Sequence, residues 1–239
     1  MLFAIMPVGD AYKTDAAYVH DAGYGDHARA AARWLLGELR RRHISGGRVI
    51  ELGCGSGISG EILAAAGFDL LGYDLSPAMI DLARQRVPRG DFRAQSYLAV
   101  RLAPCIAVTA FGECFNYLFD RRNTERRLRG LFQRVFDVAE PGRVPGGFRG
   151  HHREGKDWAV LVEAEEDRQK RTMSRRIAFF RKVGDLYRRT FEVHQLRLLP
   201  RSDMAKQLRA IGFRVRILRG YGQLRFAPGL VGFLARKPS

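Results

Sequence analysis

The stretch VIELGCGSGISG, Val49 to Gly60, runs an apolar strand into a glycine-rich turn. Two glycine patterns overlap in it. Gly53, Gly55 and Gly57 make GxGxG behind the acidic Glu51, while Gly55, Gly57 and Gly60 make GxGxxG, the dinucleotide fingerprint. At the carboxyl end of the first strand of a parallel sheet, glycines let the backbone pass close to a ligand, and the following helix offers its free N–H groups there. A second acidic signal, Asp74 in LLGYDLSP, falls 21 residues after Gly53, at the end of the next strand, where a carboxylate takes both hydroxyls of a ribose. The pair points to an adenosine-like ligand. Glu51 separates the candidates, because a carboxylate beside the loop repels a pyrophosphate and suits a cation.

The flanks give the fold class. Upstream, Asp26 reads as the cap of a helix through HARAAARWLLGELRRRH, stopped by Gly46-Gly47. Downstream come a helix over 58–66 ending at Gly67, a strand over 69–73, and a helix through PAMIDLARQR with Ser76 as cap and Pro77 in its first turn. Residues 91–93 and 106–111 read as two further strands. This alternation predicts an α/β fold, a parallel sheet with helices on both faces. Between 157 and 199 the runs DWAVLVEAEE, TMSRRIAFFRKV and LYRRTFEVHQLRLL predict an antiparallel meander. Ser202 then caps a helix closed by Gly212, and the strands FRVRIL and GLVGFLARK finish the chain.

Composition narrows the setting. At 239 residues and 46% apolar the chain reads as a single folded domain. Its apolar runs are too short to span a bilayer, and MLFAIMPVGD lacks a basic lead and breaks at Pro7, so neither a membrane partner nor a signal peptide is expected. Cys54, Cys105 and Cys114 have no metal-ligand spacing, and the His151-His152 pair reads as a solvated loop; no metal and a reduced, cytoplasmic setting are expected. The formal charge of +16 raises a nucleic-acid partner. However, 35 of the 41 basic residues are Arg, and they are spread through 40–42, 121–129 and 168–176 without a basic-aromatic stripe. Net charge alone speaks to non-specific attraction.

VIELGCGSG, followed by GYDLSPAMIDLAR, resembles motif I and the post-I motif of the class I S-adenosylmethionine-dependent methyltransferases. FRAQSYLAV stands in the place of the adenine-contacting segment, CIAVTAFGECFNYL in that of the fourth strand and its active-site end, and the last two strands in that of the terminal hairpin. The resemblance implies a Rossmann-like, mostly parallel seven-stranded sheet with its last strand reversed, and a small antiparallel β cap. It implies S-adenosylmethionine as cofactor. Gly53, Gly55 and Gly57 would line its methionine part, with Glu51 facing it; Asp74 would bind the ribose; Leu75 and Met79 would pack on the adenine; Ser96 and Tyr97 would meet the adenine edge, and Phe111 the other side. Ser96, Ala99 and Ile106 stand where the family commonly has acidic residues. On this pattern residues 1–45 form a lid and helix, 46–145 the cofactor-binding core, 150–200 the cap, and 201–239 the final helix and hairpin.

One segment departs from the family. LRGLFQRVFDVAEPG passes from helix-like to strand-like residues with no turn between, and is short by about ten residues, against the ~2–6 of an ordinary αβ loop. A helix capped by Asn123, ended at Gly130 and followed by a fifth strand in FQRVFDVAE would rescue the sheet; a truncated sheet interior is the alternative. For chemistry, a small-molecule acceptor is expected, since no Asn-Pro-Pro-Tyr type motif is present. An RNA methyltransferase and a cofactor-binding protein without turnover are the alternatives. Candidate bases are His20, His194 and Glu113, the last equally able to pair with an arginine. Tyr18, Tyr24, Asn116 and Tyr221 are candidate pocket residues.

Overall fold

The computed structural model describes residues 12–138, 153–167, 169–227 and 230–238. In chain order the elements are α1 (Thr14–Gly23), α2 (Gly25–Arg40), β1 (Gly47–Leu52), α3 (Ile58–Ala65), β2 (Phe68–Asp74), α4 (Pro77–Arg86), β3 (Asp91–Ala94), β4 (Ala107–Thr109) and α5 (Glu125–Val138). The cap strands follow as β5 (Arg153–Glu154), β6 (Trp158–Asp167), β7 (Thr172–Val183) and β8 (Leu186–Arg197). The chain closes with α6 (Arg201–Ile211), β9 (Arg214–Leu218), β10 (Gly220–Tyr221), β11 (Leu224–Arg225) and β12 (Gly232–Arg236).

The central sheet is parallel, ordered β3-β2-β1-β4, with Glu51 beside Gly72 on one side and Thr109 on the other. Strand β1 is buried on both faces, as a strand covered by helices on both sides must be. On one face Val49 and Leu70 pack with Leu35 and Leu39 of α2, Leu63 of α3 and Ile80 of α4. On the other, Ile50, Leu71 and Val108 pack with α5, α6 and Phe233 of β12. Ser76 caps α4 as expected, its Oγ accepting the Met79 N–H at 3.1 Å. The meander forms a four-stranded antiparallel sheet, β5-β6-β7-β8. Its inward residues Val160, Ile177 and Phe179 meet Ala16 and Val19 of α1.

Several sequence expectations are corrected. Residues 125–138 form one helix running through Gly130, so no helix ends there and residues 132–137 are not a strand. The reason is periodicity. Leu128, Leu131, Phe132 and Val135 recur at helical spacing and are all buried on one face, which outweighs the β-branched tail and the glycine. Among the described residues the parallel sheet therefore has four strands, and β9 and β12 pair antiparallel as a separate two-stranded sheet rather than completing a seven-stranded one. Asn123 does not cap α5; its amide holds the Phe115 carbonyl at 3.1 Å and also bonds the Tyr117 carbonyl, while Thr124 Oγ1 accepts the Arg127 N–H at 3.2 Å. Asp26 and Ser202 lie inside the first turns of α2 and α6, behind Tyr24 and Pro200, and α2 ends at Arg40, before Gly46. His151 and His152, the rest of the expected fifth strand, and the MLFAIMPVGD lead up to Asp10 lie outside the described residues.

Candidate functional site

The turn after β1 is built for close approach. Gly53 and Gly55 sit at φ +72° and +54°, in the left-handed region that side chains resist. A Cβ on Gly53 would lie 2.6 Å from Cys114 Sγ, whereas one on Gly55 would meet nothing within 4 Å, because that residue faces open space. Asp74 stands opposite. Its Oδ2 accepts the Gly55 N–H at 2.9 Å and its Oδ1 the Ser76 N–H at 2.9 Å, which fixes the carboxylate at the rim of the turn. Burial raises its pKa, and those two N–H groups hold part of the rise back.

A cavity of about 520 Å³ opens from this rim and extends under the cap. Its cradle end is lined by Gly53, Gly55, Asp74, Leu75, Met79, Tyr97 and Phe111. Its far end is lined by Tyr12, His20, Tyr24, Glu113, Tyr117, Phe119, Arg175 and His194, roofed by Val160, Val162, Ile177 and Phe179. Three residues expected at the cofactor do not line it. Gly57 instead lets α3 approach α4, since a Cβ there would lie 3.0 Å from Ala83 Cα. Glu51 Oε2 instead lies against Gly60, 3.0 Å from where a Cβ on that residue would stand. Ser96 is buried and turned toward Asp120.

Glu51 is 2% exposed, and neither carboxyl oxygen has a well-formed hydrogen bond. Burial pushes its pKa up to about 7, with the Ser59 hydroxyl opposing weakly. Near neutrality it is only partly ionised.

At the far end, His194 Nε2 lies 2.8 Å from Glu192 Oε2, and both residues are buried on the inner face of β8. Glu192 also accepts the backbone N–H groups of Tyr12 and Lys13, each at 3.0 Å, at the start of α1. Tyr12, at φ +52°, is held in this strained conformation by that pair and by Ser76 Oγ, which donates to its carbonyl at 2.7 Å. Its ring lies 5.1 Å from both His20 and His194, and its hydroxyl 3.0 Å from that of Tyr117. His20 is partly buried in the chamber wall, and burial lowers its pKa to about 4. Glu113 is committed to Arg175 of β7, which donates to its two oxygens at 2.6 and 3.0 Å with both side chains buried. Of the other pocket candidates, Tyr24 lines the cavity; Tyr18 donates to Asp157 at 2.5 Å, Asn116 to the Arg197 carbonyl at 2.7 Å, and Tyr221 is buried beside His27.

Sequence reasoning missed Tyr12, Tyr117, Asp120, Arg175 and Glu192. Only Glu192 carried a local signal: two residues before His194 on a strand, it shares that residue's face. Among the described residues no group of His, Cys, Asp or Glu is placed to hold a metal ion, and no helix is long and apolar enough to cross a membrane.

Fold and site define an α/β protein with a glycine-and-carboxylate rim opening into a roofed chamber. Residues 49–142 match the family model described as a methyltransferase domain. Over 105 residues the chain is 33% identical to a probable 18S rRNA (guanine-N(7))-methyltransferase of Dictyostelium discoideum, covering 39% of this chain and 35% of that protein. The matched segment thus spans about a third of that relative's length. A S-adenosylmethionine-dependent methyltransferase of Clostridium acetobutylicum superposes with a TM-score of 0.75 at 16% identity, covering 93% of this chain and 98% of the other. The S-adenosylmethionine-bound amino pentose methyltransferase CalS10 of Micromonospora echinaspora does so at 0.72 and 21% identity, over 92% and 97%. Residues 49–142 thus match a methyltransferase domain, and the chain shares its fold with S-adenosylmethionine-dependent methyltransferases.

Proposed function

We propose that the protein transfers a methyl group from S-adenosylmethionine to a small-molecule acceptor carrying an N–H or O–H. The observation that carries this is the continuous cavity, with a nucleoside cradle at one end and an aromatic, roofed chamber at the other. The residues fit the cofactor. Gly55 leaves space where a side chain would intrude, Asp74 holds a carboxylate toward ribose hydroxyls, and Leu75, Met79 and Tyr97 offer apolar walls to a base. Bound there, the cofactor supplies an electrophilic methyl group on a sulfonium.

The chain's own part is alignment, exclusion of water and handling of one proton. Helix α1 is pinned over the chamber from two sides, by Glu192 of the cap and Ser76 of the core. Glu192 accepts from His194 Nε2–H, which fixes the tautomer and leaves Nδ1 to take the acceptor's proton. The bond to Glu192 then stabilises the imidazolium that forms. His20, its pKa near 4, is a poor base, and Glu113 is occupied by Arg175; both shape the chamber.

RNA is the second reading, favoured by the charge of +16 and by the likeness to a probable rRNA methyltransferase. The experiment separates the two. Methyl-labelled cofactor is incubated with the protein and either a panel of small amines and hydroxyl compounds or total RNA. Label in a small product, and none in RNA, is the expected result; label in RNA alone would overturn the small-acceptor reading.

A further inference from the structure

Helix α5 carries its charges against its own dipole. Its first turn holds Arg126 and Arg127, with Arg121 and Arg122 just before it and Arg129 just after, while its last turn holds Asp137 and no basic residue. A helix start is the positive end of the backbone dipole, so cations gathered there cost stability. Glu125 is the one acid in that turn. All five arginines are exposed. Among the described residues only Arg122 has an acidic group within reach, Asp120 at 4.0 Å; Arg121, Arg126, Arg127 and Arg129 have none.

The helical period sorts them into rows. Leu128, Leu131, Phe132 and Val135 pack with α6 and with the loop through Leu98 and Leu102. That burial turns Arg126 and Arg129 out along one flank, and Arg127 and Arg134 along the other. Gly130 lies between the rows, so bare backbone lines the middle of the face. Packing does not require this glycine: on an added Cβ the nearest side-chain atom, Arg134 Nη1, would be 3.8 Å away. Burial lowers the pKa of Arg134, and the charge of Arg127 lowers it further, so like charges crowd within one row. At its start the face meets a cleft of about 220 Å³ that Glu125 and Leu128 share with Lys170, Arg171 and Arg197. None of the α5 arginines lines the chamber under the cap.

Cations that work against their own helix, without compensation in the fold, mark a place where the sequence serves a partner. Guanidiniums take phosphate oxygens bidentately, and a bare glycine lets a phosphate backbone run close to the helix. The rows therefore fit a chain of closely spaced phosphates. Only the outer face of α5 is free, so the helix cannot enter a duplex groove about 8.5 Å deep. A single strand bends to follow a surface, and RNA is the polynucleotide that cells keep single-stranded. We propose that the outer face of α5 is a docking surface for single-stranded RNA, separate from the cavity and independent of which acceptor is methylated.

The test is fluorescence anisotropy of a short labelled single-stranded RNA with the full chain over a range of salt. Four phosphate contacts give a slope of log K on log salt of about −3, about a 50-fold loss between about 50 and 200 mM salt. The combined variant Arg121→Gln, Arg126→Gln, Arg127→Gln, Arg129→Gln should flatten that slope to about −1 or less and bind at least about 10-fold more weakly. A control, Arg33→Gln, Arg89→Gln, Arg209→Gln, Arg214→Gln, removes the same charge from exposed arginines elsewhere and should keep the wild-type slope. Equal losses in the two variants overturn the proposal, since the net charge of +16 then acts as a whole. Tighter binding to the DNA strand of the same sequence, or to phosphatidylserine vesicles, than to RNA overturns it as well. Thermal melting separates lost binding from lost folding. With cations removed from the positive end of α5, the first variant should melt at or above the wild-type temperature. A lower melting temperature would mean that the arginines brace the fold, and the proposal falls. The cofactor reading stands apart from all of these outcomes, because no cofactor enters the assay.

Discussion

Replacing Glu51 by Gln should make the protein's stability less dependent on pH, by an amount the structure sets. Glu51 is buried behind the glycine turn without a well-formed hydrogen bond, and its pKa rises from 4.5 to about 7. The folded state therefore holds this proton over a window in which the unfolded chain has released it. Stability contributed by protonation is fully present below about pH 4.5 and is lost as pH rises toward and past 7. A difference of about 2.5 units corresponds to about 3 kcal/mol. In Glu51→Gln the amide cannot ionise, so this slope disappears, while every other titration is shared and cancels in the difference. Urea unfolding of both proteins from pH 4.5 to 8.5 should show the variant gaining about 3 kcal/mol relative to wild type across the range. By heat this is a gain of about 6–12 °C for a chain of this size. A difference that stays flat with pH would refute the reasoning, and would mean that Glu51 finds water or a donor in solution.

Two further outcomes follow from the site. His194→Gln and Glu192→Gln should lower kcat by about 10²–10⁴ for His194, the usual range for a lost general base, and less for Glu192, with S-adenosylhomocysteine affinity within a few-fold of wild type. Loss of cofactor affinity in step with kcat would mean that the pair only braces α1. Gly53→Ala should abolish cofactor binding in a folded protein, because the added Cβ would lie 2.6 Å from Cys114 Sγ at a left-handed backbone position; calorimetry beside a circular dichroism spectrum checks it.

What the sequence discloses depends on how local the determinant is. Gly53, Gly55, Asp74 and the Ser76-Pro77 start of α4 are each set within a few residues, and the structure brings Gly53, Gly55 and Asp74 to one cavity rim and puts Ser76 at the cap of α4. The meander was legible because alternation over ten or more residues leaves one way to bury Met173, Arg175, Ile177 and Phe179 together. Helix α5 was misjudged where two signals conflict: Gly130 and a β-branched tail suggest a break, while Leu128, Leu131, Phe132 and Val135 define a helical stripe. A helix interior tolerates one glycine at a cost of about 1 kcal/mol, less than the burial of four large side chains returns. The chamber was least legible. Glu113 with Arg175 and Ser96 with Asp120 join residues 62 and 24 positions apart, and no local pattern announces such pairs. Ser96 shows the consequence: motif position alone assigns it to the ligand, and the fold assigns it to another side chain.

The central claim is that the turn after β1, with Asp74, holds S-adenosylmethionine. Its most direct test is calorimetric titration of purified protein with S-adenosylhomocysteine, repeated with Asp74→Ala and with NAD. Micromolar binding by wild type, lost in Asp74→Ala and absent for NAD, is the predicted result. A folded wild type that takes up no S-adenosylhomocysteine, or an Asp74→Ala protein that binds it as tightly, would contradict the claim.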